Sequence, residues 1–250
     1  MVNFPLLVLV VSFLGLVFAA LIGDALRKRS HTAQEQNRDD SGVVLGGTLT
    51  LLGLIIGFSF AMAISRYDLR KDCEKNEANA IAAESMRADL LEPADTAKVH
   101  ALLKSYLDQR VLFYTTRDRQ QLEGITAETA RIQDELWSAV RAGAGRLPPQ
   151  LQGLLISGLT DIVIAQRSTQ AAWLNRIPVA AWLMILATSI GCNLLVGYRA
   201  RRTDWLVFMV MPVAVSISLF LISDLDSARG GAIRVIPQNL IGLSQSLNGQ

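Results

Sequence analysis

Hydrophobic positions in this chain collect into four blocks. Three stretches carry no charged side chain: Ser41–Ser65 (25 residues), Ile177–Tyr198 (22) and Trp205–Ser223 (19). A fourth, from the start of the sequence to Gly23, is also free of charged side chains. A helix needs ~18 or more apolar residues, at ~1.5 Å each, to cross a ~30 Å hydrocarbon layer. The pattern therefore predicts four membrane spans, at about 4–26, 43–65, 177–198 and 205–223. No basic residue precedes the first block, and its apolar run continues through Leu21 and Ile22. A retained helix is expected there rather than a cleaved signal peptide.

Between the second and third blocks the period changes. Apolar positions recur every three or four residues in four rows. They are Ile81, Ala82, Met86, Leu90 and Leu91; Val99 to Phe113; Ile125, Thr129, Ile132, Leu136 and Val140; and Leu151 to Ile162. Such rows mark amphipathic helices with one buried face. Breaks are expected at Glu92-Pro93, at Gly124 and around Gly143 to Pro149. No segment alternates with period two, so no strand is expected. Two helices should leave the membrane without stopping. One runs from Val43 to Leu91, and the other from Pro149 to Tyr198 with a kink at Pro178. A rigid extension of this kind can transmit movement or prolong a conduction path.

The expected architecture is thus an all-α, polytopic membrane protein. Residues 1–65 form a transmembrane hairpin, 66–176 a helical extramembrane region, 177–223 a second hairpin and 224–250 a tail. Residues Asp24–Asp40 read as a flexible connector and Arg199–Asp204 as a tight turn.

Two rows stand out in the second span. Gly53, Gly57, Ala61 and Ser65 form a stripe of small side chains that lets two helix backbones approach closely. The stripe could pack against the first span, whose Gly15, Ala19 and Gly23 form a matching row, or against another subunit. Beside it, Ile56, Phe60 and Ile64 form a bulky apolar row. It could constrict a pore and gate it by dewetting, or face lipid. Trp173, Trp182, Tyr198 and Trp205 fall near span ends, where interface anchors are expected.

Composition supports the membrane assignment. The chain is 51% hydrophobic and 18% charged, with mean hydropathy +0.32. Its 66–176 region holds equal numbers of basic and acidic residues, so no basic face for nucleic acid is expected. No Asp, Glu, Lys, Arg or His lies deep in a span, which argues against proton-coupled transport. Two cysteines, Cys73 and Cys192, and two histidines, His31 and His100, show no metal-binding spacing. No nucleophile–base pair or glycine-rich phosphate loop appears, so neither catalysis nor a cofactor is expected.

The short loops carry seven basic residues against two beyond the other span ends (Arg229 and Arg234). By the positive-inside rule the termini and the middle region are extracytoplasmic. Counting the basic residues of 66–176 near its span ends changes this to seven against eight. After the fourth span, Asp224, Asp226, Arg229 and Arg234 form a polar cluster at the membrane surface. These residue types admit a structural cap with Gly230-Gly231 as helix stop, an ion-binding vestibule, or acid–base chemistry.

Several segments resemble the bacterial bestrophin-like family. They are SISLFLISDLDSARGGAIRVIPQNL (Ser216–Leu240), LLGLIIGFSFAMAISRYDLR (Leu51–Arg70) and the NEANAIAAESMRADLL that follows. The four-span order with a long helical middle is similar too. A more distant similarity links that family to bestrophins, which are pentameric anion channels. The row Ile56, Phe60 and Ile64 is similar in character to their apolar neck. The resemblance implies a homo-oligomeric ion channel, for anions, in the bacterial inner membrane among membrane lipids, with the second span lining the pore. The alternative is a non-conducting scaffold or sensor whose helical region binds a partner or ligand. Bestrophins keep the middle region cytosolic, opposite to the short-loop charge count.

Overall fold

The computed structural model of the chain describes residues 5–29, 36–199 and 205–248. Those residues form eight α-helices and no strand: α1 (Pro5–Arg29), α2 (Gln36–Ala88), α3 (Pro93–Thr115), α4 (Arg119–Ala144), α5 (Pro149–Leu174), α6 (Val179–Arg199), α7 (Trp205–Asp226) and α8 (Gln238–Asn248). They divide into two compact units. A membrane unit takes Met1–Tyr67 and Arg176–Arg234, and a helical unit takes Asp68–Asn175 and Val235–Gln250. The tail is therefore split between the two.

Four helices are long and apolar enough to cross a membrane, as the blocks predict. In the membrane unit α1 packs along α6 and α7. The tightest contact is between backbones. Gly23 sits against the Leu194 carbonyl and Gly197 against the Ala20 carbonyl, with no room for a β-carbon at either glycine. Glycine is required here because close approach supplies the packing that water exclusion cannot supply in lipid. Around this contact Leu16, Leu52, Ile55, Ile185, Cys192, Val215 and Leu219 form one apolar core.

Several boundaries differ from the expected ones. The connector expected from Asp24 is helical through Arg29, where Asp24 pairs with Arg27 and Lys28 one turn on. Helix α2 runs from Gln36, and 30–35 lie outside the described residues. The Arg199–Asp204 turn also lies outside them beyond Arg199. Helix α2 continues unbroken to Ala88. The second long helix does not: Asn175–Pro178 is non-helical, so α5 and α6 are separate. Pro178 lacks an N–H and disfavours helical geometry at Ile177.

In the helical unit α3 packs on α4 and α8, and α4 on α5. Pro93 opens α3, as expected. Gly124 breaks nothing, because it lies inside α4. The break falls instead at Thr116–Asp118, where Asp118 caps α4 by accepting from the Gln120 amide at 2.8 Å. A side-chain cap outweighs a single tolerated glycine. The first row does not lie on one buried face. Ile81 and Leu91 are buried, but Met86 and Leu90 are exposed. Trp173 is no interface anchor. It is buried against Phe113 and Tyr114, with ring centroids at 5.3 and 5.5 Å.

Candidate functional site

The apolar part of α2 has two faces. Leu52, Ile55, Ser59 and Ala63 form a buried seam at three- and four-residue spacing. Leu52 and Ile55 join the core above, while Ala63 packs with Ile177, Ile222 and Leu225. The small-residue stripe lies on another face. Gly53, Gly57, Ala61 and Ser65 are all exposed, and among the described residues no atom of another helix lies within 4 Å of where a β-carbon would project from Gly53 or Gly57. Among the described residues, no helix of the chain covers the stripe at these glycines. In the bulky row, Ile56 is half-buried and touches both apolar cores. Phe60 and Ile64 are 36% and 39% exposed, so they project from the packed bundle.

The membrane unit contains a cavity of about 510 Å³ between α1, α6 and α7, with Arg176 and Asp226 among its lining. No described residue of α2 lines it. That cavity is thus separate from the face that carries the two α2 rows.

The polar cluster after α7 is spent largely on the backbone. Asp224 accepts from the amides of Ala232 and Ile233, both at 2.8 Å. Asp226 accepts from the Ile177 amide at 2.9 Å, taking a donor that the break before α6 leaves without a helical acceptor. Ser227 accepts from the Gly230 amide at 3.0 Å. Gly231 presses against the Asp224 carbonyl, so the chain reverses tightly. Arg234 is exposed and Arg229 half-buried. The two acids thus fold the chain back after α7 and anchor the entry into α6.

The helical unit holds a polar network that the apolar rows do not indicate. Glu77 on α2 accepts from Arg110, which is 1% exposed, from Tyr114 at 3.3 Å and from Thr169 at 3.2 Å. The Arg110 guanidinium also lies 4.4 Å from the Phe113 ring centre. Burial opposes the charge on Arg110, but Glu77 beside it outweighs that and raises its pKa. Burial, reinforced by Glu77, raises the Tyr114 hydroxyl well beyond its ordinary range. Glu74, one turn earlier on α2, accepts from the Asn239 side chain at 2.6 Å and the Leu240 amide at 3.0 Å. It caps the first turn of α8, where unsatisfied amides favour a carboxylate. Burial, with Glu77 and Asp72 nearby, also raises the Cys73 thiol, which disfavours a reactive thiolate there. Among the described residues no three metal-ligating side chains converge.

A sequence signal for this network exists. The seam spacing Leu52, Ile55, Ser59, Ala63 carries on to Arg70, Glu74, Glu77, Ile81, Glu84 and Ala88, all of them buried. Extrapolating that register would have flagged three glutamates in core positions.

A family model described as a Bestrophin-like domain matches residues 7–240. Among solved structures, the chain is similar to a bacterial bestrophin homologue from Klebsiella pneumoniae, seen as two single-substitution variants. The first is 13% identical, with a TM-score of 0.70 and 97% of each chain covered. The second is 13% identical, with a TM-score of 0.69, covering 98% of this chain and 99% of the other. No curated protein matches the sequence.

Proposed function

The chain belongs to the Bestrophin-like family, and from that membership we propose that it is the subunit of a homo-oligomeric anion channel. In this reading the apolar part of α2 lines the pore, with Ile56, Phe60 and Ile64 as its constriction. The carrying observation is the uncovered face of α2. Among the described residues, Gly53 and Gly57 meet no other helix, Phe60 and Ile64 project, and no residue of α2 lines the cavity inside one copy. A path along α2 therefore needs further copies around it. Small residues suit close approach between copies, and bulky apolar residues suit a dewetting gate. The absence of ionisable side chains from the apolar segments suits passive conduction. The preference for anions follows the resemblance to bestrophins.

Native mass spectrometry and planar-bilayer recording of the purified protein test this reading. The expected result is a closed oligomer with an anion-selective current, raised by Phe60→Ala or Ile64→Ala. A monomer that is silent in bilayers would refute it.

The short-loop charges favour an inner-membrane orientation with the termini and the 66–176 region extracytoplasmic. Cys73 is too buried to report on this. The Arg119 side chain is 94% exposed. Arg119→Cys should therefore react with a membrane-impermeant maleimide in spheroplasts. Reaction only after lysis reverses the orientation.

A further inference from the structure

Three glutamates occupy the buried seam of α2 beyond its apolar segment, and two of them are fully engaged. Glu74 takes two donors around α8, and Glu77 takes Arg110, Tyr114 and Thr169. Glu84 differs. Its side chain is wholly enclosed, yet among the described residues neither carboxyl oxygen has a hydrogen-bond partner. The wall opposite is the bare α-carbon of Gly158 on α5, where an added methyl would collide with both Glu84 and Arg87.

The charged groups facing Glu84 are few. Arg87, on the same helix, holds Nη1 at 3.6 Å, too far for a hydrogen bond. Asp161 on α5 lies 3.6 Å from that same nitrogen and is half exposed to water. Arg87 is therefore shared between two carboxylates. From α3, His100 is occupied nearby, 3.0 Å from the Ser85 carbonyl and 3.2 Å from Asp89.

An ionised carboxylate without donors in such a site is strongly penalised, whereas a neutral carboxylic acid is tolerated. We propose that Glu84 is a proton switch in the helical unit. It is neutral while Gly158 of α5 packs against it, and on ionising it draws Arg87 away from Asp161 and loosens α5 from α2 at that point. Burial is the main force holding its proton, which is kept up to about pH 7, with Asp161 assisting and Arg87 opposing. The folded state holds this proton more tightly than the unfolded chain does. The stability of the α2–α5 contact is therefore full below the ordinary carboxylate range and declines as pH rises from about 4.5 to about 7.

The test uses the full chain in nanodiscs, titrated from about pH 5 to about pH 9. Infrared difference spectra should show one carboxylic-acid carbonyl band disappearing near neutrality, absent in Glu84→Gln. Hydrogen exchange of the α5 amides around Gly158, corrected for intrinsic rates, should rise across the same interval in the wild type and stay flat in Glu84→Gln. A band that survives in Glu84→Gln, or α5 protection independent of pH in the wild type, overturns the proposal. Asp161→Asn guards against a misfolded glutamine variant, because the change is half exposed. Removing that negative charge and freeing Arg87 should move the midpoint to lower pH, and an unmoved midpoint counts against the switch.

Discussion

Helix α2 presents a buried seam to both units but fills it with different chemistry. In the membrane unit the seam is Leu52, Ile55, Ser59 and Ala63; in the helical unit it includes Arg70, Glu74, Glu77 and Glu84. One register thus serves two environments. In lipid the neighbours offer packing but few donors, so the seam is apolar or small, and in the same unit α1 and α6 meet backbone to backbone at Ala20 and Gly197. In the helical unit donors come from α3, α5 and α8, so carboxylates can be buried if each is supplied. Glu74 and Glu77 are supplied, and Glu84 is not. Helix geometry sets where the seam runs, while the partners available decide which residues can fill it.

The largest expected effect removes a supplied donor. Arg110→Ala strands Glu77 with only two weak hydroxyl partners, which should cost about 3–5 kcal/mol. Chemical denaturation in detergent, followed by fluorescence of Trp173 beside the network, would measure it. A loss below about 1 kcal/mol would mean that the charged seam is not a distinct mode of burial.

A smaller effect is expected from the membrane unit. Gly197→Ile forces a branched side chain against the Ala20 carbonyl, an overpacking cost of about 3 kcal/mol. Its thermal unfolding in detergent should shift while exchange protection of α3 and α4 stays unchanged. Equal loss of protection in both units would show that they do not unfold separately.

The smallest effect concerns the tail. Glu74→Ala removes the cap of α8 and should cost about 1–2 kcal/mol. It should appear as faster hydrogen exchange over Gln238–Asn248, with α5 unaffected. Unchanged exchange in α8 would mean that Leu240 packing alone holds it.

Much of the architecture was legible because it rests on length and period. The four apolar blocks, the unbroken α2 and the rows on α3 and α4 needed no partner information. Boundaries set by one specific interaction were harder to see. The α3–α4 break depends on the Asp118 cap, while Gly124 looked the stronger breaker and was absorbed into α4. The α5–α6 break depends on Pro178 together with Asp226, which is 49 residues from Ile177, and no local window joins them. In the candidate site, an all-apolar helix offers several rows of equal spacing. Sequence could name the Gly53 and Ile56 rows but not say which row is buried. The Glu77 network was missed because charges amid charges look solvated, although the α2 register reaches them.

The close contact between Ala20 and Gly197 also has a consequence for how the protein is made. During synthesis, Ala20 is added 177 positions before Gly197. At ~5–20 residues per second, that is a wait of roughly ten to thirty seconds. Through that interval the face of α1 that finally holds α6 lies open to lipid or to other newly inserted helices. The insertion machinery must therefore shelter the first helix or release it in a form that can still be recruited. Substitutions at Gly23 or Gly197 would then act on the yield of assembled protein before they act on its stability.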